Sequence, residues 1–309
     1  MKRKKYPIHP DFKRLARTNP PLSKCAVALM QTLERWLHRR QKSTKNIKVS
    51  SLKISVEDGS FLRALLFTPN QAQENSPCLV LYHGGGFVMP AAPYHYALAR
   101  EYAEKTGCKV LFPQYRLAPK YKFPIPVEDC FNAYLYALNH AKTLGIDEEK
   151  IAVGGDSAGG NLAAAVCLKA REAGVNLPCG QLLLYPALSF DVKTESMQKY
   201  VDTPMCNAKD VARFGALYLP QGVEKQAYIE PTLAPSFVGL PSAYIETAEF
   251  DCLKDGGVLY AEQLRSADVE VTLRNTQGTV HAFDMVLDSQ ITRACIAARI
   301  EFLKSIFLK

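Results

Sequence analysis

Ile151-Ala152-Val153-Gly154-Gly155-Asp156-Ser157-Ala158-Gly159-Gly160-Asn161 is the stretch on which the fold of this chain turns. Ile151–Val153 is an apolar, partly β-branched run of the kind that forms a buried strand, and Asn161–Ala170 has the composition of a helix. Between them Gly155 and Gly159 let the backbone turn sharply, since neither carries a Cβ. Ser157 is then expected at the apex of a strand-to-helix turn, strained and exposed at the sheet edge, with Oγ at the positive end of a helix. That is a nucleophile-elbow arrangement. The competing reading is a glycine-rich turn whose serine only caps the helix.

A second signal lies upstream, where the apolar run Cys78–Tyr82 leads directly into His83-Gly84-Gly85-Gly86-Phe87. Consecutive glycines leave backbone N–H groups uncovered and able to face a developing oxyanion, as the loop of this type does in lipases and esterases. A phosphate cradle would require Gly-x-x-x-x-Gly-Lys-Ser/Thr, or Gly-x-Gly-x-x-Gly opening a helix, and the sequence has neither. A serine hydroxyl near its free pKa is a weak nucleophile, so Ser157 needs a histidine base held by a carboxylate. His281 is the one histidine after residue 140, just beyond the strand-like run Val271–Leu273, where a loop can carry it over Ser157. For the carboxylate, Glu246, Glu249, Asp251 and Asp255 gather at the end of the run Ala243–Thr247. Asp251 has the loop position an orienting acid requires, Glu249 is the alternative, and Asp255 reads as the cap of the following helix.

Around these motifs the chain alternates. Ile47 to Pro69 reads as two strands about the turn Glu57-Asp58-Gly59-Ser60, and further strand-like runs are Val110–Tyr115 and Leu182–Tyr185. Helical stretches are expected at 93–106, 126–143, 158–173, 254–267 and 290–307. Continuous apolar strands separated by helices imply a mainly parallel sheet covered on both faces, with its site at the carboxyl ends of the strands. From Ser189 to Leu240 the next strand is delayed, and prolines at 204, 220, 231 and 235 interrupt the pattern. This reads as an insertion over the top edge of the sheet, with a helix at 208–218.

The 309 residues are 48% hydrophobic and 22% charged, the balance of a compact folded protein rather than of a fibre or a disordered tail. Nine cysteines, an odd number without a Cys-x-x-Cys pair, argue against a disulfide framework or zinc cluster. No run of about 18 apolar residues occurs, and Tyr6-Pro7-Ile8-His9-Pro10-Asp11 stands where a signal peptide would need its apolar region. A cytoplasmic protein is expected.

The net charge of +8 is uneven: residues 1–48 hold 14 Lys/Arg against two acids, and the remainder 24 against 28. Such a segment could meet an anionic membrane surface or nucleic acid. Leu22, Ala26, Leu29, Leu33, Trp36 and Leu37 recur at helical spacing with Lys24, Gln31, Arg35 and Arg39 between them, so the preferred reading is an amphipathic helix with a packing stripe and a solvated basic face. No aromatic-interleaved basic run points to nucleic acid.

Taken together, these residues resemble the hormone-sensitive-lipase-like branch of the α/β-hydrolase esterases. His83–Phe87 is similar to that family's His-Gly-Gly-Gly signature and Gly155–Asn161 to its Gly-Asp-Ser-Ala-Gly-Gly-Asn elbow. Tyr115-Arg116-Leu117-Ala118-Pro119, Phe123-Pro124 and Glu128-Asp129 resemble a further family stretch, and Asp251-Cys252-Leu253-Lys254-Asp255 is similar to the segment whose first Asp is the triad acid. Lys120, Cys252 and Tyr96 depart from the family's usual Glu, Pro and Asp, and none of them removes a catalytic group. The resemblance implies an α/β-hydrolase fold with a mostly parallel eight-stranded sheet flanked by helices. It implies a core of residues 46–188 and 226–309, under a helical cap made by residues 1–45 and 189–225. It also implies a catalytic Ser157, Asp251 and His281 with an oxyanion hole from Gly85, Gly86 and Ala158.

The expected activity is hydrolysis of short- to medium-chain acyl esters through an acyl-enzyme, with no metal or organic cofactor. Phe87, Met89, Tyr185, Phe214 and Tyr218 are the candidate pocket residues. The alternatives are a deacetylase or amidase using the same triad, or a non-catalytic ligand receptor on this fold. A small-molecule ester is the expected partner, with a second copy of the chain as a candidate and nucleic acid not expected.

Overall fold

Gly59 adopts φ +77° just after Asp58, and the Ser60 N–H donates to the Asp58 carboxylate at 2.9 Å, so the chain reverses where the sequence marks a hairpin. In the computed structural model, which describes residues 6–16 and 18–309, this turn joins β1 (Ile47–Ser55) to β2 (Phe61–Pro69). The sheet continues with β3 (Ser76–Tyr82), β4 (Lys109–Gln114), β5 (Ile146–Asp156), β6 (Gln181–Leu184), β7 (Ala243–Phe250) and β8 (Val271–Val280). Its order is β1-β2-β4-β3-β5-β6-β7-β8, with β2 antiparallel to both β1 and β4 and the other pairings parallel.

Helices precede, connect and follow the strands. They are α1 (Lys24–Arg39), α2 (Pro93–Thr106), α3 (Ile125–Asn139), α4 (Ala141–Leu144), α5 (Ala158–Glu172), α6 (Glu195–Lys199), α7 (Ala208–Tyr218), α8 (Lys254–Arg265) and α9 (Gln290–Leu308). The boundaries have local causes: Pro93 opens α2 and Gly107 closes it at φ +77°, while the Asn207 side chain accepts the Lys209 and Asp210 N–H groups to start α7. The single helix expected at 126–143 is broken at His140, which leaves helical geometry at φ −113° and ψ 15°. Successive β3 residues serve opposite layers. Cys78, Val80 and Tyr82 pack beneath α3 and α5, and Leu79 and Leu81 beneath α2 and α9. Each aliphatic side chain buried in this way contributes about 1.5–3 kcal/mol.

Two expectations are corrected. Asp255 does not cap α8; it accepts the Ser196 N–H at 2.7 Å and so ties α6 to α8. Only part of the apolar stripe packs: Leu22, Ala26 and Leu37 are half-buried, but Leu29, Leu33 and Trp36 are 70%, 49% and 48% exposed. The inward face carries Val27, Met30, Gln31 and His38 instead. The Gln31 amide donates to the Val88 carbonyl at 2.8 Å and to the Ala118 carbonyl at 2.9 Å. Satisfying two partly buried loop carbonyls sets the rotation of the helix. Met1–Lys5 and Arg17 of the basic segment lie outside the described residues. Among the described residues no helix is long and apolar enough to cross a membrane.

The stretch before α1 and the insertion after β6 meet above the strands' carboxyl ends. The Tyr6 hydroxyl donates to Asp202 at 2.6 Å, and the Met205 N–H donates to the Thr18 carbonyl at 2.8 Å.

Candidate active site

β5 ends at Asp156 and α5 begins at Ala158, which leaves Ser157 alone in the turn at φ +53° and ψ −116°. A non-glycine residue held there costs about 1–3 kcal/mol and persists only where its surroundings enforce it. Here they do. A Cβ on Gly155 would come within 2.4 Å of the Tyr82 carbonyl oxygen, and one on Gly159 within 2.0 Å, so only glycines allow elbow and β3 to approach this closely. Ser157 makes no capping bond to α5; its Oγ lies 2.8 Å from His281 Nε2. The helix-cap reading is thereby set aside.

His281 follows β8, and its Nδ1 lies 2.7 Å from Asp251 Oδ2. A carboxylate at that distance accepts a hydrogen bond from Nδ1–H, which fixes the tautomer and leaves the Nε2 lone pair toward the serine hydroxyl. Burial pushes the imidazole pKa down, but the charge and hydrogen bond of Asp251 outweigh it and raise the pKa to about 9. Asp251 itself is steadied by the Leu253 N–H at 3.0 Å. Glu249, the alternative acid, accepts the Gly278 N–H at 2.6 Å instead and is spent on β8 backbone.

Beyond β3 the glycine loop bends through φ +116° at Gly85 and +61° at Gly86, and a Cβ on Gly86 would fall 2.3 Å from the Phe214 ring. Among the described residues none accepts the N–H of Gly85, Gly86 or Ala158. All three residues line one cavity of about 400 Å³ with Ser157 and His281. Its walls are largely apolar and include the candidates Phe87, Met89, Phe214 and Tyr218, together with Met205 and Val211. Phe87 stacks on Tyr218 with ring centres 3.9 Å apart. Tyr185 is the exception among the candidate pocket residues. Its hydroxyl donates to Asp284 at 2.9 Å and its ring packs edge-on against His281, so it lies behind the imidazole rather than in the cavity.

A family model for the alpha/beta hydrolase fold matches residues 79–285. The chain belongs to the α/β-hydrolase family. Within that family it sits in the hormone-sensitive-lipase-like esterase branch. Esterase LipI of Mycobacterium tuberculosis is 36% identical over 70% of this chain and 67% of its own length. An arylesterase of Saccharolobus solfataricus is 35% identical over 75% of this chain and 76% of its own. Among solved structures, a bacterial heroin esterase matches with a TM-score of 0.89 at 32% identity, covering 97% of this chain and 98% of its own. By this kinship the hydrolase is a carboxylic ester hydrolase.

Two supports of the hydrolase site escaped the sequence reading. Asp156, one residue before Ser157, accepts the Gly84 N–H at 2.8 Å, the Tyr94 hydroxyl at 2.9 Å and His95 Nε2 at 3.1 Å. Burial alone would raise its pKa, but these donors, His95 foremost, lower it to about 2. An ionised carboxylate thus clasps the glycine loop to the elbow. The signal was in view, since Asp156 belongs to the elbow motif, but only its neighbours in space reveal the role.

The second support is Arg299 of α9, fully buried between Glu246 of β7 and Asp284, with Nη1 2.7 Å from Asp284 Oδ2. Asp284 holds the Tyr185 hydroxyl, and the Tyr185 ring backs His281. Removing the guanidinium strands two carboxylates in the core, so Arg299→Ala should cost about 3–5 kcal/mol, measured by urea denaturation. An unchanged midpoint would refute this.

Proposed function

We propose that Ser157, His281 and Asp251 are the nucleophile, base and orienting acid of this carboxylesterase, and that Gly85, Gly86 and Ala158 supply its oxyanion hole. His281 Nε2 takes the hydroxyl proton as Ser157 Oγ attacks the ester carbonyl, and Asp251 stabilises the imidazolium that forms. Three backbone N–H groups receive the negative charge that develops on the carbonyl oxygen. His281 then returns the proton to the leaving alkoxide. Water, deprotonated by the same imidazole, releases the acid from the acyl-enzyme. The observation that carries this reading is the hydrogen-bond chain from Ser157 through His281 to Asp251, beside N–H groups with no partner of their own in the described chain.

In this reading residues 46–188 and 226–309 are the hydrolase core, and 1–45 and 189–225 its cap. Thr18, Met205, Val211 and Phe214 from the cap line the cavity with the core residues, which supports that division. Nine thiols suit a reducing compartment, and we assign the chain to the cytoplasm.

The cavity's size and apolar walls favour short to medium acyl groups. Across p-nitrophenyl esters from acetate to palmitate, kcat/KM should peak below about ten carbons. A maximum on long-chain triglyceride emulsions would overturn the substrate class.

A further inference from the structure

Leu29, Leu33 and Trp36 follow at spacings of four and three along α1, so they form a single stripe, and the fold leaves it outside. The helix cannot roll to bury it. Val27 and His38 are buried on the opposite face, and Gln31 there holds the Val88 and Ala118 carbonyls. Next to the stripe the chain is basic: Arg39, Arg40, Lys42, Lys45 and Lys48 are all exposed, and the Arg40 guanidinium lies 3.8 Å over the Trp36 ring.

We propose that α1 and the basic stretch that follows it form a docking face for an anionic lipid surface. Leu29, Leu33 and Trp36 enter the headgroup region while the basic side chains meet lipid phosphates. Leucine and tryptophan gain by leaving water at such an interface, tryptophan prefers headgroup depth, and lysine and arginine are drawn to anionic headgroups.

Charge decides against the other occupants. Two copies meeting through this face would bring like charges together, and three side chains fall far short of the roughly 1,000 Å² a specific interface requires. Nucleic acid would neutralise the basic residues but leave the apolar stripe in water. Thr18, Asn19, Pro20 and Pro21, just ahead of α1, line the active-site cavity, as do the exposed Val192 and Met285. Docking through α1 therefore brings the cavity close to the surface into which apolar esters partition.

Trp36 is the chain's single tryptophan, so its emission reports this face alone. With phosphatidylcholine vesicles containing phosphatidylglycerol, the full chain should co-sediment and Trp36 emission should shift to the blue and be quenched by brominated lipid. Pure phosphatidylcholine should give neither response, and about 0.5 M salt should weaken both. Leu29→Gln combined with Leu33→Gln keeps Trp36, should hydrolyse p-nitrophenyl acetate at the wild-type rate, and should lower vesicle partitioning by at least about tenfold.

Four results would overturn the proposal. They are no blue shift with anionic vesicles, undiminished vesicle binding by the double variant, a blue shift that grows with protein concentration without lipid, or a response to duplex DNA matching that to vesicles. The wild-type lipid measurements decide even if the double variant fails to fold.

Discussion

Ser157→Ala should lower kcat on p-nitrophenyl butyrate by about 10⁶-fold. The size of the loss follows from where the oxygen sits. Ser157 Oγ is 2.8 Å from His281 Nε2, at the apex of a turn whose glycines fit against the Tyr82 carbonyl with no room for a shift. The side chain makes no capping bond, so its removal should leave the fold and the cavity intact. KM should therefore change far less than kcat. The rate that remains should still exceed that in water, because polarisation by the loop N–H groups does not need the serine. A fluorophosphonate probe should label the wild-type protein at Ser157 and leave the variant unlabelled. Turnover near the wild-type rate, or an adduct on another serine, would remove Ser157 from the mechanism.

What the sequence revealed and what it hid follow one physical line. The elbow was legible because a close approach of backbone to backbone excludes Cβ atoms, and glycines at 155 and 159 record that exclusion in the chain itself. α2 and α7 were legible at their ends because Pro93, Gly107 and Asn207 act within a turn of the residues they cap. The placing of His281 beside Ser157 could be anticipated because the chain offers no other histidine after residue 140.

The misses involve direction or distance. Tyr185 leaves the end of β6 at φ +34°, and a period-two pattern does not say which way a side chain points once the strand has ended. The stripe on α1 was correctly seen as apolar, but two carbonyls more than fifty residues away claimed Gln31 and turned the helix the other way. Arg299 sits in an otherwise apolar stretch of α9, and its partners Glu246 and Asp284 come from other elements, so no local pattern could name them. Interactions made within a turn, and backbone approaches close enough to demand glycine, leave a mark on the sequence, whereas side-chain pairings between distant elements do not name their partners.

Asp251→Asn should lower kcat by about 10⁴-fold, and the shape of its pH profile tells more than the size of the loss. In the proposed mechanism His281 must be neutral to accept the serine proton, so kcat/KM should fall as pH drops through the imidazole pKa. In the wild type Asp251 raises that pKa to about 9 against the opposing effect of burial. An asparagine removes the charge and leaves burial, which favours the neutral ring. The acidic limb should therefore move to lower pH even as the plateau falls, and the variant should be proportionally least impaired at acid pH. Glu249→Gln is the control. Glu249 is bonded to the Gly278 N–H and does not touch the imidazole, so its loss should leave the limb nearly where it was. If Glu249→Gln moved the limb and Asp251→Asn did not, the orienting acid would have to be reassigned to Glu249.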